Sequence, residues 1–242
     1  MDGIFKCREK VTVLDVGQNY KITDKGYIRI LQEAANLASS QVGHGIADIE
    51  RTGTTWVILY WRLKVYKRAG YNDTLEVKTW ANFYNKIYSL REFEVYCNSE
   101  LIAKASSKWV FVDAKNHMIH KITDDMIKIY KPLERRLFDT ELNERVKLPE
   151  NLEETYTYTI MKRDLDANHH VNNLCFLDIA IESLPETIID EGFNNISIIY
   201  KKEMLYKDMI SCYYEFKDEK HIVYMYNKEK NILNGVVIFS KE

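Results

Sequence analysis

Ile28, Leu31, Ala35 and Ala38 recur three and four residues apart, which places them on one face of a helix. Thr23-Asp24 is a good N-cap pair and Gly43 a natural stop, so a helix is predicted through YIRILQEAANLASSQVG. A second helix is predicted from about Val171 to Leu184, closed by Pro185. Each is followed by β-branched and aromatic runs that read as strands. The first set is TTWVILYWRLKVY, DTLEVKTWANFY, IYSLREFEVYC and LIAKASSKWVFVD, with Asn98-Ser99 as the turn between the last two. The second set is ISIIYKKEMLY, MISCYYEFK, HIVYMYNK and ILNGVVIFS.

A strand also precedes each helix, in CREKVTVLDV and TYTYTIMKRDL. The order strand, helix, four strands thus occurs twice, at an offset of about 145 residues. The charged stretch between the copies holds two of the three prolines and reads as connector. An antiparallel sheet must bury one face, and each copy offers one helix to cover it. The predicted class is α+β, a duplicated unit of a helix wrapped by a sheet.

Composition narrows the partners. With 46% hydrophobic and 29% charged residues and a net charge of −2, the 242-residue chain has material for a core and no bulk attraction to nucleic acid or membrane. Cys7, Cys97, Cys175 and Cys212 lie far apart, which argues against a cysteine metal site and a disulfide framework. No run approaches the roughly 18 apolar residues of a spanning helix. The start MDGIFKCREKVTVLDV resembles neither a signal nor a transit peptide, so a bacterial cytoplasmic protein is expected. His44, His117 and His120 show no clustered third ligand, and no Gly-rich phosphate loop or G-x-S-x-G elbow occurs, so neither metal nor cofactor is expected.

The densest chemistry is DLDANHHVNN, Asp164 to Asn173, at the strand-to-helix junction of the second copy. On an extended approach Asp166, Asn168 and His170 share one side, where an acid, an amide and an imidazole could orient a carbonyl, activate water and stabilise an oxyanion. The helix-start amides could hold the oxyanion. Helix capping and surface solvation are what composition alone favours for such residues. The equivalent junction of the first copy, YKITDKGY, has a plain cap without histidine, and that asymmetry favours function. His169 points away from its neighbour on extended chain and is taken as an exposed bystander.

D-L-D-A-N-H-H-V-N-N, followed by a helix with Glu-Ser-x-Pro, resembles the acyl-acyl-carrier-protein thioesterases of plants and their bacterial relatives. The likeness extends over ILQEAANLASSQVG, TTWVILYWRLKVYKRAGYNDTLEVKTW, ASSKWVFVDAKNHMIHKI and IIYKKE, nearly the whole chain. It implies a tandem hotdog, each long helix wrapped by antiparallel strands, in two sheets or one continuous sheet. The domains expected are an acyl-binding copy at 1–120, a connector at 121–150 and a catalytic copy at 151–242.

The resemblance further implies hydrolysis of a fatty acyl thioester on acyl carrier protein, with catalytic Asp166, Asn168, His170 and Glu203. Strand period alone would make Glu203 a solvated residue opposite Ile198, Tyr200 and Met204. A cysteine nucleophile once proposed after that glutamate has no counterpart, since the position is Met204. Cys175 is read as an apolar filler. Trp56, Leu59 and Trp61 are expected to line the acyl channel, and Lys201, Lys202 and Lys207 to meet the acidic carrier protein. A homodimer is compatible with this fold. An acyl-CoA thioesterase and a non-catalytic acyl-binding regulator are the alternatives.

Overall fold

The computed structural model describes residues 3–83, 85–143, 145–166, 170–188 and 192–241. The chain divides into two compact units, Met1–Glu141 and Leu142–Glu242. The first contains β1 (Phe5–Lys10), α1 (Asp24–Gln41), the single turn α2 (Ile49–Thr52), β2 (Thr54–Val65), β3 (Thr74–Asn82), β4 (Tyr88–Cys97), β5 (Glu100–Asp113) and α3 (Asp124–Tyr130). The second contains β6 (Glu154–Thr159), α4 (Cys175–Glu182), β7 (Asn195–Tyr200), β8 (Met209–Lys217), β9 (Lys220–Asn227) and β10 (Ile232–Ser240). Strands are antiparallel neighbours in the order β1-β3-β4-β5-β2 in the first unit and β7-β10-β9-β8-β6 in the second.

α1 begins where its sequence says it should. The Thr23 hydroxyl accepts from the Gly26 amide at 3.0 Å, and Gly43 leaves the helix at φ +78°. Its inward stripe, Tyr27, Ile28, Ile30, Leu31, Ala34, Ala35 and Ala38, is buried. Each large apolar side chain among them stabilises the unit by about 1.5–3 kcal/mol. The stripe lies on the sheet face that carries Thr79, Ala81, Ser89, Arg91 and Trp109. A bulge at Leu59 keeps Trp56, Ile58 and Trp61 on that same face, because it inserts one residue between Ile58 and Tyr60.

The opposite face of the first sheet is covered by part of the charged stretch read as connector. Its backbone accepts from Trp80 Nε1 at Arg135, from Lys104 Nζ at Leu137 and from Arg62 Nη1 at Thr140. Phe138 lies under both Arg62 and Lys104, and Arg135 pairs with Glu94. This strap also closes over Glu92 of β4, whose carboxylate accepts from Ser106 Oγ at 3.0 Å and from the Leu137 amide at 3.3 Å. Burial pushes the Glu92 carboxyl up to about 7, against the smaller opposing pull of these hydrogen bonds and of Arg136 and Lys104.

In the second unit α4 buries Phe176, Leu177, Ile179 and Ala180. The Phe176 ring lies against Gly235 of β10, where a Cβ would come within 2.6 Å of it, and packs edge-on to Tyr200 at 4.9 Å. The helix starts at Cys175 rather than near Val171, because the preceding residues close a loop of their own. β7 likewise stops at Tyr200, so the predicted strand ISIIYKKEMLY, through Tyr206, ran too far. The amides of both Lys201 and Lys202 donate to the single carbonyl of Asn234, at a bulge in β10, and the ladder ends there. Among the described residues no helix is long and apolar enough to cross a membrane.

Candidate active site

Two irregular segments of the second unit meet beside the start of α4. The first comprises residues 164–166 and 170–172. Asp164 is buried, and one carboxylate oxygen accepts from the Tyr158 hydroxyl at 2.9 Å and the Met161 amide at 2.8 Å. Its carbonyl accepts from the Asn172 amide at 2.8 Å, Leu165 bridges Val171, and the Asp166 amide donates to the His170 carbonyl at 2.8 Å. The Asp166 carboxylate returns the contact by accepting from the His170 amide at 3.2 Å. The loop is therefore clamped at its base, and the acid and the histidine sit across from each other.

The second segment follows β7. Asn234 holds it, since besides accepting from Lys201 and Lys202 its side-chain amide donates to the Glu203 carbonyl at 3.0 Å. Met204 is buried, and its carbonyl accepts from the Val171 amide at 3.2 Å. These anchors bring the Glu203 carboxylate to the His170 imidazole, with Oε2 and Nε2 3.2 Å apart. The imidazole side chain is 33% exposed and the carboxylate 49%, so water reaches both. Glu203 is solvated, as strand period alone would make it, but it stands past the end of the strand and its carboxylate meets the imidazole.

Among the four candidate polar residues, the structure brings together Asp166, His170 and Glu203, while Asn168 and the neighbouring His169 lie outside the described residues. Two positions escaped the sequence reading. Asp164 was passed over as one more acid of the motif, and Asn234 sits far away in an ordinary strand pattern. The Asn234-Gly235 pair within a strand was a signal for a bulge. The first-turn amides are partly used: Leu174 donates to Asn172 Oδ1 at 3.0 Å and Cys175 to the Asn172 carbonyl at 2.9 Å. An oxyanion cannot take those two without displacing Asn172.

Cys175 points back into the loop, its Sγ–H donating to the Asp164 carbonyl at 3.7 Å. The thiol proton is thus engaged within that segment. Cys175→Ser should keep any hydrolytic activity of the protein within a few fold, measured as thiol released from an acyl thioester. Loss comparable to that of a His170 variant would instead make the thiol the nucleophile.

In the first unit Trp56 borders a cavity of about 60 Å³ with Phe83, Tyr130 and His44, and its Nε1 donates to the Tyr130 hydroxyl at 3.0 Å. Trp61 is wholly buried against Phe93 and Trp109. Leu59 and Trp61 border neither this cavity nor the larger one beside it. Of the three lysines, Lys201 donates from Nζ to the Val146 carbonyl at 2.8 Å, and Lys202 and Lys207 are exposed.

Two consecutive α+β units, one with a histidine–glutamate pair open to water, define a tandem hotdog protein with a candidate hydrolytic site. Residues 3–130 match the acyl-ACP thioesterase N-terminal domain, and residues 148–238 match the C-terminal domain of the same family. The chain belongs to the acyl-ACP thioesterase family. It is 29% identical over 230 residues to oleoyl-acyl carrier protein thioesterase 2, chloroplastic, of Arabidopsis thaliana, covering 87% of this chain and 63% of that protein. The chain thus spans less than two thirds of the length of that relative. In fold it is similar to an acyl-ACP thioesterase from Bacteroides thetaiotaomicron VPI-5482, at TM-score 0.86 and 18% identity, covering 98% of this chain and 97% of that one. It is similar also to the 12:0-ACP thioesterase from Umbellularia californica, at TM-score 0.85 and 17% identity, over 98% of this chain and 96% of that one.

Proposed function

We propose that the protein hydrolyses the thioester of a fatty acyl chain on acyl carrier protein, releasing free fatty acid and the carrier thiol. The observation that carries this reading is the approach of His170 Nε2 to Glu203 Oε2 at 3.2 Å, between two anchored loops and open to water. Family membership supplies the substrate class. Glu203 accepts the Nε2 proton of His170 with one oxygen and retains lone pairs to take a proton from water. The water oxygen bonds to the thioester carbon, the carbon–sulfur bond breaks, and the proton passes from the base to the departing thiolate. Asp166 holds the backbone of His170 and is the second carboxylate available as base. Asn168 is assigned with His170 to positioning water and thioester.

In this reading residues 151–242 are the catalytic domain, 121–150 the connector, and 1–120 bind the acyl chain, with the cavity at Trp56 in support. Lys202 and Lys207 are the docking cations for the acidic carrier. The four free thiols fit work in a reducing compartment such as the bacterial cytoplasm.

The test is a matched series of acyl-carrier and acyl-CoA substrates of increasing chain length, read as free thiol. Higher kcat/KM on the carrier is expected at every length hydrolysed. Equal or faster release from CoA would move the assignment to an acyl-CoA thioesterase, and no release from either to an acyl-binding protein.

A further inference from the structure

Arg91 of β4 is 7% exposed, and its Nη1 reaches one acceptor, Thr79 Oγ1, at 3.3 Å. The neighbouring acids Glu92 and Glu94 alternate to the opposite sheet face, where Ser106, Leu137 and Arg135 occupy them. Among the described residues no carboxylate pairs with this guanidinium. Burial presses its pKa below the ordinary arginine value, with only the phenol of Tyr130 opposing. A desolvated, unpaired cation destabilises the fold, and an apolar side chain of similar length would avoid that cost.

The guanidinium stands between two cavities and borders both. The smaller is bordered also by Ser39, Ser89 and His44, whose ring stacks on Tyr130 with centroids 5.9 Å apart. The larger, about 230 Å³, is walled by Phe5, Ala38, Val42, Ala81 and Ile129, with Gln41, Thr79 and Lys131 also on its wall. An unpaired buried cation next to a mainly apolar compartment matches an anion that carries a hydrocarbon tail. An acyl chain alone would fill the apolar part and leave the charge unanswered.

We propose that this site binds an aliphatic carboxylate, its carboxylate paired with Arg91 and its chain in the adjoining apolar cavity. Guanidinium and carboxylate match in a two-bond fork. The carboxylate can belong to a free fatty acid or to the far end of an ω-carboxylated acyl chain. The first source rests on the hydrolase reading, under which the free acid is the product. Binding itself does not.

Calorimetric titration of the intact protein with decanoate, and with decan-1-ol as the uncharged control, tests the site. Decanoate should bind the wild type and His170→Ala alike, and decan-1-ol at least tenfold more weakly. Arg91→Met should melt higher than the wild type without ligand, which shows that it folds. Decanoate should bind that variant roughly 10- to 100-fold more weakly. Undiminished decanoate binding by Arg91→Met, or equal binding of decan-1-ol by the wild type, overturns the proposal.

Two kinetic arms separate the sources. Inhibition by decanoate that Arg91→Met relieves identifies the free acid. A preference for ω-carboxydecanoyl over decanoyl thioesters that Arg91→Met erases identifies the substituted chain. Failure of all hydrolysis would remove the reaction assignment and leave the titration as a complete test of the site.

Discussion

His170→Ala is expected to lower thioester hydrolysis by roughly 10²–10⁴-fold, the usual contribution of a positioned general acid–base group. The loss should fall on kcat with little change in KM, because the imidazole meets the reacting centre and not the acyl chain. Glu203→Gln keeps the size of the side chain and an oxygen that can accept from Nε2, but removes the negative charge and the base, so a loss of the same order is expected. The double variant should be little worse than the poorer single one, since the two groups act as a unit 3.2 Å apart. Both side chains are substantially exposed, so circular dichroism and melting temperature should stay near the wild type. Thiol release unchanged in His170→Ala, or losses that simply multiply in the double variant, would remove the pair from the mechanism.

The largest stability effect is expected at Glu92. Its carboxyl titrates at about 7 in the folded protein against an ordinary value of 4.5, with burial as the main cause. A group whose pKa is raised on folding binds more protons in the native than in the unfolded state. Its contribution is therefore fully present below about pH 4.5 and is lost as pH rises to about 7. At pH 8 the ionised, strapped-over carboxylate costs about 3 kcal/mol. Glu92→Gln can still accept from the Leu137 amide and bond to Ser106, and it carries no charge. Calorimetric melts from pH 4 to pH 8 should find the variant equal to the wild type at the acid end. At the alkaline end it should be more stable by several degrees. Parallel pH profiles for the two proteins would show that the carboxyl does not carry this penalty.

The legibility of the chain follows the range of the interactions. α1 could be read to within a residue or two because its cap, its stripe and its stop are all encoded close to one another. Hairpins join β3, β4 and β5, and likewise β8, β9 and β10, but β2 pairs with β5 and β7 with β10 across long stretches of chain, which no local pattern encodes. The end of β7 could not be read this way. Ile198, Tyr200 and Met204 fall on one face at strand period, and the Asn234 carbonyl, more than thirty residues on, ends the ladder at Tyr200. α4 started late for a similar reason. Tyr158, Met161 and Asn172 close the loop around Asp164, so Val171 is drawn into a bridge with Leu165 instead of a helical turn.

The duplicated α+β plan, the two long helices and the grouping of Asp166, Asn168 and His170 in one motif are legible along the chain, because period and spacing are local properties. That Glu203 stands against His170, that Asp164 and Asn234 anchor the two segments, and that Arg91 borders a cavity with no carboxylate partner among the described residues emerge from the folded chain alone. Each of these depends on which side chains meet across long sequence separations, and on what water can still reach once the sheets are covered.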